Sequence, residues 1–400
     1  MEFQETIAIH RRLISDGLAG ESEEALVDSF CRGLCGAGLP IMRFFVGSNI
    51  LHPLHDGRTI VWEKGRSQGI GYFAETEDDQ EAWLRSPIHH LMESGEEHLH
   101  RRLDDTCHGS GEFPVLDEFR EKGGTGYLAV LVPFRAEATL GGYPGIALSY
   151  LTDRKGGFTD ADVGTLRELS HTFALTFRML SEVFTGRTLL RTYLGADAAD
   201  RVLAGRIRRG QAEVVQAVLW SSDLRGFTRI ADTAPQDELL PFLDAYAECQ
   251  VEAIEKHGGQ VLKFIGDGIL AMFDAGASQS ACNAALDAVA EVRAGILELG
   301  LTRRREGRPA TDLCIGLHVG EVLYGNIGSP QRLDFTVIGP AVNEVSRIEA
   351  MCRALDQPIV VSSAFREADP DAAKRLVSLG RYALRGVARP RELFTVDPER

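Results

Sequence analysis

Apolar residues recur at helical spacing through residues 1–36, at Leu13, Ile14, Leu18, Leu26, Phe30 and Leu34, and predict one helix with a single buried stripe. Four short runs follow in which apolar residues alternate or crowd in the manner of strands: IMRFFVGS, RTIVWEKG, YLAVLVPF and GIALSYLTD. Between the second and third lies a polar stretch rich in His, Glu and Arg. Its four histidines, His89, His90, His98 and His100, read as a solvated helix and its loop. Helical spacing returns in FTDADVGTLRELSHTFALTFRML, where Thr159 is placed to cap the N-terminus. It continues from Ser181 to Gly210, and there Leu189, Leu190, Tyr193, Leu194, Val202 and Leu203 either pair with a second copy of the chain or pack on their own domain. Lying between two domains, this segment is expected to be a dimeric linker.

The second half alternates regularly. A strand, EVVQAVLWSSD, leads to the helix QDELLPFLDAYAECQVEAIEKHG, stopped by Gly258 and Gly259. A hairpin follows, VLKFI and ILAMF joined by Gly266, Asp267 and Gly268. Next come the helix SACNAALDAVAEVRAGILEL, the strands CIGLHVGEVLYG and FTVIG, the helix AVNEVSRIEAMCRAL, and the closing strands PIVVS and ELFTV. The order β-α-β-β-α-β is that of the split ferredoxin-like arrangement. The expected organisation is α+β throughout: an N-terminal sensor domain over 1–180, a helical linker over 181–210 and a ferredoxin-like domain over 211–400.

Composition narrows the partners. A net charge of -15 over 400 residues argues against non-specific binding to nucleic acid or anionic membrane. No apolar run reaches the roughly 20 residues of a membrane span, and the start MEFQETIAIHRRL lacks the apolar centre of a signal peptide. The 7 cysteines are scattered, without the spacing of a disulfide framework, which points to reduced thiols in a cytoplasm.

Two acids stand out because each interrupts a strand-like run: Asp223 in LWSSDLRGFT and Asp267 in KFIGDG. An interior strand position tolerates a carboxylate only when it is paired or bound to a cation. Neighbouring strands would bring both acids to one spot, where Mg²⁺ is the expected ion because it takes one or two carboxylates and completes its shell with water and phosphate oxygens. The segment after Asp223 (Leu224, Arg225, Gly226, Phe227 and Thr228) leads into a helix whose backbone N–H groups suit a phosphate chain. Taken alone, Asp223 reads equally as a helix cap and Asp267 as a turn former.

The set LWSSDLRGFT, KFIGDG, HVGEVLYGNIG, FTVIGPAVNEVSRIEA and ALRGVARP resembles a class III nucleotidyl cyclase catalytic domain, over about residues 211–396 and in the family's order. The stretch GIALSYLTDRKGGFTDADVGTLREL is similar to a GAF domain, which implies a regulatory role with a possible small-molecule ligand. The cyclase resemblance implies ATP as substrate and two Mg²⁺ ions per site, replaceable by Mn²⁺, held by Asp223, Asp267 and the backbone at Leu224. It assigns Lys263 and Thr336 to the purine, Asn343 to the ribose, Arg347 to the reacting phosphates, and Arg385 or Arg389 to the terminal phosphates. Lysine at 263 favours adenine, whose N1 accepts a hydrogen bond; a guanine site would be expected to place a carboxylate there. Asp334 reads as a strand-edge acid outside the base-reading pair. The resemblance also implies sites built across a head-to-tail homodimer, one chain giving the acids and the other the base- and phosphate-reading residues. A guanylate cyclase, or an inactive nucleotide-binding or dimerisation module, are the alternatives.

Overall fold

A computed structural model describes residues 2–65, 69–73, 77–104, 112–135, 140, 145–276, 281–385 and 390–397. It divides into two compact units, residues 1–189 and 190–400.

The first unit opens with two helices, α1 (Phe3–Ala19) and α2 (Glu23–Gly36), where the pattern predicted one. Gly20 takes the left-handed conformation that ends α1, and the Ser22 hydroxyl accepts from the Ala25 amide to start α2. Splitting the helix resets the buried stripe, so Ile14 and Leu18 lie exposed while Leu13, Leu26, Phe30 and Leu34 stay buried. The unit continues through β1 (Arg43–Asn49), β2 (Gly57–Glu63), β3 (Gly69–Phe73), α3 (Glu77–Leu84), α4 (Pro87–Ser94), β4 (His98–Arg102), α5 (Pro114–Glu121), β5 (Gly126–Pro133), β6 (Gly145–Thr152) and α6 (Asp160–Leu194). Its antiparallel sheet has the order β3-β2-β1-β6-β5-β4. The four predicted strands are β1, β2, β5 and β6. His98 and His100 fall on the strand β4 and not in the loop expected for them, because Leu99 between them fills the core beneath α4 and α5. Thr159 caps α6 as expected: its hydroxyl accepts from the Asp162 amide while the Asp162 carboxylate accepts from the Thr159 amide.

The second unit contains α7 (Ala196–Leu203), β7 (Ala212–Leu224), α8 (Phe227–Thr233), α9 (Gln236–Lys256), β8 (Gln260–Ile265), β9 (Gly268–Asp274), α10 (Ala281–Arg305), β10 (Leu313–Ser329), β11 (Arg332–Ile338), α11 (Pro340–Leu355), β12 (Ile359–Ser362), α12 (Ser363–Ala368), α13 (Pro370–Ala373), β13 (Leu376–Tyr382) and β14 (Arg391–Val396). The sheet runs β13-β14-β12-β10-β7-β9-β8, with β11 paired to β10. One face packs on α9 and α10 through Trp220, Phe242, Tyr246, Ile254 and Val292. Gly195 separates α6 from α7, so the expected continuous linker helix is broken there. Leu194 and Val202 pack within this unit beside Ala198 and Tyr324, whereas Tyr193 is exposed. Among the described residues no helix is long and apolar enough to cross a membrane.

Candidate active site

Asp223 stands at the end of β7, in register with Cys314 of β10. Asp267 occupies the turn between β8 and β9, beside a left-handed Gly266 at φ 64°. The next residue must be glycine: a Cβ at Gly268 would lie 2.3 Å from the Ser222 carbonyl oxygen. Glycine thereby lets the hairpin tip press against β7 and sets the two acids side by side. The Leu224 amide donates to Asp267 Oδ2 at 3.1 Å. Burial, and then the hydrogen bond and charge of Asp267, push the Asp223 carboxyl up to about 6 against the opposing pull of Arg353.

Two residues not singled out in the sequence complete this cluster. Arg353 of α11 forms an ion pair with Asp223. Glu349, one turn earlier, is pushed up to about 7 by burial and then by the charge of Asp223. Its Oε1 is buried without a hydrogen-bond partner among the described residues. Three carboxyls converge here with one exposed arginine to offset them, so the donor chemistry fits a divalent cation held by Asp223, Asp267 and the Leu224 carbonyl. Among the described residues no three His, Cys, Asp or Glu side chains form a metal-ligand group. Glu349 adds negative charge beside the pair.

The segment after Asp223 presents little side-chain chemistry. Leu224 is buried, Phe227 stacks on Phe242 at 6.2 Å, and the Arg225 guanidinium reaches Asp356 at 3.0 Å. Gly226 and Thr228 are exposed, so the backbone and the Thr228 hydroxyl are what this segment offers at the surface.

A second group lies where β8 and β11 approach. Lys263 Nζ donates to Asp334 Oδ2 at 2.5 Å. Asp334 is thus the partner of Lys263, a role that its strand-edge position did not suggest. Two residues along the same strand, Thr336 is 7% exposed and its hydroxyl has no hydrogen-bond partner among the described residues. Asp334 thus ties the Lys263 ammonium of β8, which has donors to spare, to the strand that carries the unpartnered Thr336 hydroxyl.

A third group forms around α11. Asn343 and Arg347, one turn apart, line a cavity of about 390 Å³ together with Ser346, Met351 and Arg385. Arg347 makes no ion pair among the described residues; Glu344 goes instead to Arg391, at 3.4 Å. Arg389 lies outside the described residues. At 3.6 residues per turn, Glu349 and Arg353 project roughly 120° round α11 from Asn343 and Arg347, on the other flank of the buried stripe Val345, Ile348 and Cys352. Glu349 and Arg353 could have been found from spacing, being four apart on the helix carrying Arg347.

The sequence profile described as "Adenylate and Guanylate cyclase catalytic domain" matches residues 212–396. An adenylate cyclase of Anabaena cylindrica is 33% identical over 158 residues, which is 40% of this chain and 32% of that protein. Adenylate cyclase 1 of Rhizobium meliloti (strain 1021) is 26% identical over 227 residues, 54% of this chain and 34% of that one. The crystal structure of the guanylyl cyclase Cya2 shares 30% identity, covers 46% of this chain and 93% of its own, and superposes with a TM-score of 0.42. The chain spans about a third of the length of these curated relatives. Through residues 212–396 the chain belongs to the adenylate and guanylate cyclase catalytic domain family, the class III cyclases. The match falls on the unit that contains all three residue groups.

Proposed function

We propose that the chain is an adenylate cyclase, converting ATP to 3′,5′-cyclic AMP and pyrophosphate. The 3′-hydroxyl oxygen bonds to the α-phosphorus, and the bond from that phosphorus to the oxygen bridging to the β-phosphate breaks. Two Mg²⁺ ions, replaceable by Mn²⁺, would be held by Asp223, Asp267 and the Leu224 carbonyl and would neutralise charge on the attacking and leaving oxygens. Lys263 donates to adenine N1, with Asp334 steering its ammonium, and Thr336 accepts from the adenine amine. Asn343 orients the ribose. Arg347 offers its fork of donors to the oxygens on which charge develops, and Arg385 of the same cavity holds the terminal phosphates.

One observation carries the assembly. The acids approach one flank of α11 through Arg353, and the Asn343–Arg347 cavity lies on the other flank of its buried stripe. The family resemblance implies that one nucleotide takes the acids from one chain and the Asn343–Arg347 cavity from another. The working form is then a head-to-tail homodimer with two equivalent sites. The N-terminal unit is a GAF-like regulatory domain with a small-molecule ligand, acting through the segment around residues 181–210 in the cytoplasm; the free thiols Cys31, Cys35, Cys249, Cys282, Cys314 and Cys352 suit that compartment. The chain's net acidity leaves nucleic acid and membrane out of its partners.

A second reading, a guanylate cyclase, draws on Asp334, whose carboxylate could accept from guanine N1–H and N2–H. Purified protein given ATP and GTP separately with Mg²⁺ or Mn²⁺ decides between them. Preferential turnover of ATP is expected, and preferential turnover of GTP overturns the assignment.

A further inference from the structure

The two faces of the N-terminal sheet are covered differently. Phe44, Val46, Leu128, Leu148 and Tyr150 bury one face against the helices α1, α2 and α6. The other face, carrying Arg43, Phe45, Tyr127 and Ser149, is only partly roofed by α3, α4 and α5, and a cavity of about 530 Å³ remains beneath them. That volume lies within the range of small-molecule sites, roughly 300–1,000 Å³.

Arg43 on its floor is the residue that needs explaining. Its side chain is 21% exposed, and its one ionic contact among the described residues is Nε to Glu63 Oε1 at 3.9 Å, across the β1–β2 ladder. At that distance there is an ion pair and no hydrogen bond. The two terminal amino groups of the guanidinium, the pair that forms a fork with a carboxylate, donate to no described residue. Two aromatic rings flank the charge, Phe45 at 5.8 Å and Phe119 at 5.1 Å from the guanidinium carbon. Beside it the buried Tyr127 hydroxyl bonds with Ser149. Burial holds the Arg43 proton affinity below the ordinary arginine value, as expected of a cation short of acceptors.

The rim has the opposite sign and is already neutralised. Glu81 pairs with Arg85 at 3.8 Å and Glu118 with Lys122 at 3.9 Å, all four side chains being exposed. Arg43, whose pair with Glu63 leaves both terminal amino groups without an acceptor among the described residues, is therefore the cation with donors left for a carboxylate. The rest of the wall is largely apolar, with Ala82, Ile88, Pro114 and Val115 facing Phe45 and Phe119. A purine and ribose would bury ring nitrogens and hydroxyls there without partners, at a cost for each.

We propose that this cavity binds a small organic carboxylate with a flat apolar body, its two oxygens on the Arg43 fork and its body between the Phe45 and Phe119 rings. This names the ligand class for the regulatory role given to the unit above, and it rests on that reading only for its link to turnover. Planar, bidentate carboxylate recognition is the geometry for which a guanidinium is suited and an ammonium is not.

The test is calorimetry on the full chain with benzoate, phenylacetate and indole-3-acetate as probes, benzamide as the neutral match for benzoate, and cyclic AMP as the competing class. Saturable binding of at least one carboxylate is expected, with benzamide at least tenfold weaker than benzoate if benzoate is the one that binds. Arg43→Met should weaken the bound carboxylate by about tenfold or more, the scale of one lost charged contact. Arg43→Lys, which keeps the charge and loses the fork, should fall between. No binding by any of the three acids, equal binding of benzoate and benzamide, or binding of cyclic AMP in their place overturns the proposal. Since the wild-type comparison needs no variant, a misfolded Arg43→Met leaves it decisive. Cyclase turnover with and without the bound acid is read separately, so that the site and its regulatory role can fail independently.

Discussion

The two sides of α11 make an instructive pair. On one side Glu349 and Arg353 approach Asp223, where negative charge is in excess and one arginine already serves as a counter-charge. On the other, Asn343, Arg347 and Arg385 line a cavity in which Arg347 and Arg385 form no ion pair among the described residues. Neither side is electrostatically complete. The acid side lacks cations and the arginine side lacks anions, and a metal–triphosphate carries both. The buried residues Val345, Ile348 and Cys352 form the stripe between the two flanks.

Substitutions on each side break that pairing by different amounts. Asp223→Ala removes a proposed metal ligand and leaves Arg353 unopposed; turnover should fall by roughly 10²–10³-fold or more, on the scale of lost transition-state electrostatics, as read by cyclic nucleotide formation at saturating substrate. Arg347→Ala should cost roughly 10²-fold in kcat with metal affinity unchanged, which separates the two sides. If it weakens Mn²⁺ binding as Asp223→Ala does, the two half-sites are not distinct.

Lys263→Glu reverses the charge facing the base and sets a second acid against Asp334. ATP kcat/KM should drop by roughly 10²-fold, again without loss of metal binding. Gly268→Ala puts a methyl 2.3 Å from the Ser222 carbonyl oxygen, and the hairpin must shift. About 1–3 kcal/mol of stability should be lost in thermal or denaturant unfolding.

The smallest effect is in pH. Asp223 and Glu349 are held up at about 6 and about 7, above the ordinary carboxyl range. Raised acids favour the protonated folded form, so their contribution is complete near pH 4 and is lost as pH rises through 6 to 7. Metal-free protein should therefore lose stability over that interval. Added Mg²⁺ should restore it, and should stabilise more at pH 7.5 than at pH 5. Equal stabilisation at both values would contradict a carboxylate site for the ion.

Legibility from sequence differed between the units for physical reasons. In the second unit, strand periodicity located β7 to β10, and the catalytic candidates stood out because charges and glycines break apolar runs only where something requires them; Gly268 is the clearest case. What escaped there were partners supplied by folding. Asp334 meets Lys263 from 71 positions away, and Arg353 meets Asp223 from 130 positions away. In the first unit β3 and β4 went unread, one being short and Gly-bearing, the other masked by histidines and arginines. The helix break at Gly20 was overlooked because apolar spacing runs on across it. Arg43 lay in plain view inside IMRFFVGS, but a strand arginine is usually solvated, and only burial by α3 to α5 makes it notable.

The central claim is that one nucleotide is served by the acids of one chain and the Asn343–Arg347 cavity of another. The direct measurement is complementation: Asp223→Ala and Arg347→Ala chains, differently tagged, co-expressed and isolated as the mixed dimer. Each variant alone should be nearly inactive. The mixed dimer should regain about half the activity of the unmodified protein, since one of its two symmetric sites has every residue intact. A folded, associated mixed dimer as inactive as its parents would show that each chain builds its own site, and would contradict the account.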